Sequence, residues 1–211
     1  MRKKGANGEQ SRQSLLEIAA HEFAHKGYHG TKVSDIVARA GLTQPSFYLY
    51  FSNKEAVFEE LVSSFRSKFQ ERIIKSRIEP GIQKKRVSEK ILNALTSVFR
   101  FLAEDRNLTK IGFLISPEAA KLKEEMTALM RENLMAEQRT GYFRSALDMS
   151  IAADCLMGAI ERLTITQLLP DLKTPEALAY EVMNVFLYSM LPNDEEPVSS
   201  TNLQEIEREG K

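Results

Sequence analysis

The chain has 211 residues, 43% hydrophobic and 27% charged, with 29 Lys and Arg balancing 29 Asp and Glu. That composition fits one large globular domain or two modest ones. No apolar run approaches the ~18 residues that a membrane span needs, and the single cysteine, Cys155, allows no intrachain disulfide.

Charge is unevenly placed along the chain. Residues 1–54 hold eight Lys and Arg and four Asp and Glu, whereas residues 192–211 hold two and six. A basic N-terminal module on a neutral body fits a DNA reader joined to a domain with another partner. The first ten residues are polar and read as a mobile arm, whose Arg2, Lys3 and Lys4 suit phosphates or a minor groove. They contain no apolar core of a signal peptide, so a cytoplasmic protein in a reducing compartment is expected.

The first helix is predicted from about Ser11 to Lys26. Leu15, Leu16, Ala19 and Phe23 keep a helical period, and Gly27 stops it. Within it stands His21-Glu22-Phe23-Ala24-His25, a literal H-E-x-x-H. In zinc proteases that spacing puts two imidazoles on one helix face with the Glu as base. Here both histidines point away from the apolar stripe, no Glu lies between Glu22 and Glu55 to act as a nearby third ligand, and His29 falls beyond Gly27. Surface histidines, no metal and no catalysis are the preferred reading, and a zinc-dependent hydrolase is the alternative.

Residues 31–54, TKVSDIVARAGLTQPSFYLYFSNK, read as two short helices joined by a tight turn. Thr31 is the expected cap of the first, which turns Val33, Ile36, Val37 and Ala40 inward. Gly41 supplies the left-handed turn residue, Thr43 caps the second helix, and Pro45 is tolerated in its first turn. Phe47 and Phe51 pack inward, which leaves Gln44, Pro45, Ser46, Tyr48 and Tyr50 toward solvent. Gln pairs bidentately with adenine, while Pro and Tyr meet thymine methyls; Tyr hydroxyls and Lys54 suit phosphates. This is the shape of a helix-turn-helix whose second helix enters a major groove. Ser52 and Glu55 form an S-x-x-E capping box, so another helix is expected to follow at once.

Leu15, Leu16, Ala19, Phe23, Gly27, Tyr28, Thr31, Val33, Ile36, Ala40, Gly41, Thr43, Tyr48, Tyr50, Phe51, Lys54 and Glu55 together resemble the signature of the TetR family of bacterial transcriptional regulators. The resemblance covers about the first quarter of the chain. Lys32 stands where a second small hydroxyl residue is common and Leu42 where Val is common, departures that bear on operator details rather than on the module.

Beyond Ser52 the helical period continues. Val57, Leu61, Phe65, Phe69 and Ile73 are spaced by four, to about Arg77, and Pro80-Gly81 breaks the helix. A helix over about Lys85–Glu104 and a short segment over Leu108–Ile115 follow. Ser116-Pro117 then looks like a cap with Pro at the first position of a helix to about Arg139. The next helix, about Met149–Leu169, is apolar nearly all round and so predicted to be buried on more than one side, with Cys155 a buried inert thiol. Thr174 caps a last helix to Leu191, and residues 193–211 read as an acidic mobile tail. With no alternating pattern anywhere, the fold class is all-α.

The domains expected are 1–54, a helix-turn-helix head with its basic arm; 55–191, a larger helical bundle; and 192–211, the tail. The resemblance implies a homodimeric regulator, most often a repressor, that binds double-stranded DNA and leaves a palindromic operator when a small molecule binds. It implies an interface on the last two long helices, where Ala152, Gly158 and Ala159 permit close approach and Val182 and Phe186 are candidates. It also implies an effector site in the body, with Phe65, Phe69, Phe99, Phe113, Met126 and Met130 as candidate lining for an apolar or amphipathic molecule. No cofactor is expected. A helical protein-interaction module with a degenerate helix-turn-helix is a further alternative, against which intact Gln44, Tyr48 and Lys54 argue.

Overall fold

The computed structural model describes residues 4–191. Arg2 and Lys3 of the basic arm, and the acidic tail 192–211, lie outside the described residues. Among the described residues every regular element is helical, as the periodicity predicts, and no helix is long and apolar enough to cross a membrane.

Helix α1 runs Lys4–Gly30, longer at both ends than the sequence suggests. Gly27 is where the periodicity breaks, but it kinks the helix rather than ending it: its φ of 74° and ψ of 169° let the chain bend and resume for one more turn. Thr31 does not cap the next helix. Its hydroxyl donates to the Gly27 carbonyl at 2.8 Å, across the kink. Helix α2, Val33–Arg39, starts instead from Lys32, with no side-chain cap. It ends in a Schellman motif, because Gly41 N–H donates to Ala38 and Leu42 N–H to Val37. Gly41 has φ 65°, the left-handed state that the turn requires.

Helix α3, Gln44–Tyr48, is capped by Thr43, whose hydroxyl accepts from Ser46 N–H. Helix α4, Lys54–Lys75, is capped by Asn53, whose side-chain oxygen accepts from Ala56 N–H at 2.8 Å. The expected Ser52–Glu55 box therefore gives way to its neighbour; both residue types cap well, and the backbone angle of the turn selects Asn53. The first turns of α4 pack on α1, through Phe58 against Phe23 and Tyr28. A boundary after Lys54 thus falls inside the first turn of a helix that head and body share.

The body follows with α5 (Lys84–Glu104), α6 (Arg106–Lys110), a π-helical turn (Ile111–Ile115), α7 (Ala119–Arg139), α8 (Met149–Leu163), a second π turn (Thr164–Leu168) and α9 (Pro175–Met190). Ser116-Pro117 forms a bend before α7 rather than its first turn. Helix α5 packs along α9, and α7 packs against α8 and α4. One hydrophobic core runs from Leu15 and Phe23 in α1 to Val182 in α9. At its centre Phe65 and Phe69 of α4 meet Phe101 of α5 and Phe113 of the π turn, with ring centroids 5.4–5.8 Å apart. Gly112 makes that meeting possible, since a Cβ there would sit 2.2 Å from the Phe65 ring.

Candidate nucleic-acid interface and body cavity

The head is braced from within. Glu22 is buried, yet Lys26 pairs with it at 2.6 Å and Arg39 of α2 at 2.8 Å. The Lys26 ammonium, against the opposing effect of burial and with help from Arg39, holds its carboxyl below the usual carboxylate range. This is the Glu of the H-E-x-x-H. His21 accepts from Arg39 at 2.9 Å, stacks on His25 at 4.1 Å, and receives the His25 Nδ1–H on its carbonyl. The motif thus joins α1 to α2, and among the described residues no three His, Cys, Asp or Glu side chains come together as a metal site would need.

Lys54 has a second internal role. Its ammonium donates to the carbonyls of Tyr28 at 2.7 Å and Thr31 at 2.9 Å, and lies 4.3 Å over the Tyr28 ring. Two of its three donors are therefore held by the turn between α1 and α2, which leaves one for a phosphate. The expectation of Thr31 at the DNA surface is corrected: it is 1% exposed, with its hydroxyl turned inward.

What α3 offers to solvent is a different set. Thr43, Gln44 and Pro45 are exposed, Ser46 and Tyr50 are half-buried, and Tyr48 is 55% exposed. Phe47 and Phe51 lie inward. Leu49, unassigned from the sequence, is 79% exposed beside Tyr48. The helical period held the signal, because placing positions 47 and 51 inward leaves 48 and 49 outward. A surface that pairs an amide and hydroxyls with bare apolar groups matches base edges, which present hydrogen-bonding atoms beside thymine methyls.

In the body, a cavity of about 100 Å³ lies between the C-terminal end of α4 and α5, α7, α8 and α9. Of the six predicted lining residues only Met130 borders it. Phe65, Phe69 and Phe113 fill the aromatic cluster next to it, and Phe99 and Met126 are also fully packed in the core. Val182 and Phe186, expected at an interface between chains, border the cavity instead. Ala152 packs near Phe143 and Met149, Ala159 is half-buried and Gly158 is exposed. Cys155 is exposed, not buried. The outward apolar residues of these two helices are Ile151 in α8 and Tyr180 and Val185 in α9.

One polar group stands out at the cavity wall. Glu137 of α7 is 5% exposed and accepts Ile78 N–H at 2.9 Å, just past the end of α4. Burial pushes its carboxyl up to about 7, against the pull of the Ile78 hydrogen bond and of Arg77. Beside it Tyr142 donates to the Glu79 carbonyl and accepts from Ile82 N–H, a second strap on the same loop.

Residues 15–61 match the family described as bacterial regulatory proteins, tetR family. The HTH-type transcriptional regulator YdgC of Bacillus subtilis is 49% identical over 187 residues, 89% of this chain and 96% of that protein. The fatty acid metabolism regulator protein of Bacillus subtilis is 27% identical over 75% of this chain and 84% of its own length. Among solved structures, the fatty acid degradation regulator FadR from Bacillus halodurans superposes with a TM-score of 0.66 at 26% identity, over 84% of this chain and 94% of that one.

Proposed function

The chain belongs to the tetR family of bacterial regulatory proteins, transcriptional regulators and not enzymes, and we propose that it acts as a dimer whose two α3 helices read a palindromic operator. The observation that carries this reading is the exposed row Gln44, Pro45, Tyr48 and Leu49 on a head braced by Glu22 and Lys54. A lone head reads few base pairs. Two-fold pairing doubles the contacts and sets half-sites about 34 Å apart, one DNA turn. The outward Ile151, Tyr180 and Val185 are the face that a second copy would cover.

The body cavity is the place for an apolar or amphipathic effector. Its position at the end of α4 supplies the coupling, since a ligand that widens the cavity displaces the far end of the helix that carries the head. The ligand must favour the displaced state, because equal affinity for both states shifts nothing. Operator must then weaken effector binding by the same factor, about 5–150-fold for typical couplings. Selection of bound duplexes from a random pool, followed by anisotropy titrations, tests the DNA reading. Recovered sites should be palindromic, and Gln44→Ala should cost ~1–3 kcal/mol at particular base pairs. Random recovered sites with unchanged affinity in Gln44→Ala and Tyr48→Ala would sink it.

A further inference from the structure

The cavity has a polar end, and its charge is one-sided. Three polar residues border it: Ser76, Asn133 and Glu137. Ser76 and Asn133 both direct a donor to one carbonyl, that of Ile73, at 2.7 and 2.8 Å. The Ser76 hydroxyl has only one hydrogen, so its lone pairs alone remain, and Asn133 keeps its amide oxygen and one amide hydrogen. Glu137 holds Ile78 N–H, and among the described residues no other hydrogen bond reaches its carboxyl. Among the described residues, no lining residue is Lys, Arg or His. The remaining described wall is aliphatic or aromatic, Leu156, Ile160 and Phe186 among it.

From this arrangement we infer that the cavity selects a ligand with an apolar body and a cationic hydrogen-bond-donor head, a lipophilic amine, and that Glu137 is the residue that reads the head. The inference rests on the proposed effector site and adds the ligand class to it. A buried carboxylate without a cation is costly, and a cation brought to it offsets that cost. A ligand carboxylate meets the reverse: no basic side chain and a like charge. The exposed guanidinium of Arg77 acts on Glu137 from the loop after α4 but does not border the cavity. The carboxylate has lone pairs for both donors, so the ammonium is read at the residue that already holds Ile78 N–H just past the end of α4.

The test is calorimetry on the full chain with octylamine, octanol and octanoate, each below its micelle concentration, at about pH 8, where both partners are charged. Octylamine should bind about tenfold more tightly than octanol, as one charge-assisted hydrogen bond in a dry site implies, and octanoate most weakly. Glu137→Gln keeps an oxygen for Ile78 N–H and should erase the advantage of the amine over the alcohol. Octanol or octanoate binding as tightly as octylamine to the unmodified chain overturns the inference but leaves the cavity as an effector site. An amine preference that survives in Glu137→Gln overturns it too. Failure of all three to bind overturns both the inference and the proposed site. The ranking on the unmodified chain decides even if the variant folds poorly.

Discussion

Replacing Glu137 by Gln should remove a loss of stability that the wild type suffers between acid and alkaline pH, so the variant gains on the wild type as pH rises. The carboxyl has an ordinary value of 4.5 and is pushed up to about 7 in the folded chain, chiefly because it is buried. Between those two values the folded state holds a proton that the unfolded state has released. Stability therefore falls as pH rises from about 4.5 to about 7 and levels off above. At 1.36 kcal/mol per pH unit the loss is about 3 kcal/mol. About 2.5 kcal/mol of that loss falls between pH 5 and pH 8, so for a chain of this size the melting midpoint is lower by roughly 5–10 °C at pH 8 than at pH 5, from this group alone. Gln carries no such dependence. Its extra N–H faces a dry wall and costs about 1–3 kcal/mol, equally at both pH values. The diagnostic is thus the double difference: wild type minus Glu137→Gln, at pH 5 and at pH 8, by urea titration. A double difference near zero would refute the claim that burial governs this carboxyl, whatever the absolute stabilities.

Gly112→Ala should destabilise by about 1–3 kcal/mol, since its Cβ meets the Phe65 ring inside a packed cluster, and Phe65→Leu in the same chain should recover part of the loss; urea midpoints of both decide it. Lys54→Met should cost about 1.5–3 kcal/mol in stability through its bonds to the Tyr28 and Thr31 carbonyls, while the dependence of operator affinity on log salt stays unchanged. A salt slope lower by about one would show instead that Lys54 contacts a phosphate. Val185→Glu, on the outward face of α9, should yield a folded monomer in sedimentation, because 70% exposure in the single chain leaves the fold itself unaffected.

The local grammar of the head could be read from the chain, and the reasons are physical. Gly41 and Thr43 act through bonds that span three to five positions, so spacing alone reveals them. The internal bonds of Thr31 and Lys54 are not legible, for the opposite reason. The Lys54 bonds span 23 and 26 residues, and no local pattern shows that its charge is already engaged. Periodicity in α4 located its buried face correctly, including Phe65 and Phe69, but burial is not a cavity. Whether the opposite helix fills the space depends on Phe101 and Phe113 arriving from two other elements. Val182 and Phe186 show the same limit: an apolar stripe predicts contact and cannot say with which surface.

Helix α4 has 22 residues, so it is about 33 Å long. Lys54 pins its first turn to the α1–α2 corner, and Glu137 holds the loop just past its other end. Head and helix thus form one stiff rod with its grip at the far tip. Geometry then sets a high gearing ratio. A swing of about 5° about that tip moves the head by roughly 3 Å, close to the rise of one base pair. Two copies swinging apart would add to nearly two base pairs, without any rearrangement inside the head. A side chain moving by a fraction of its own width at the cavity is enough to put two reading surfaces out of step with a DNA turn.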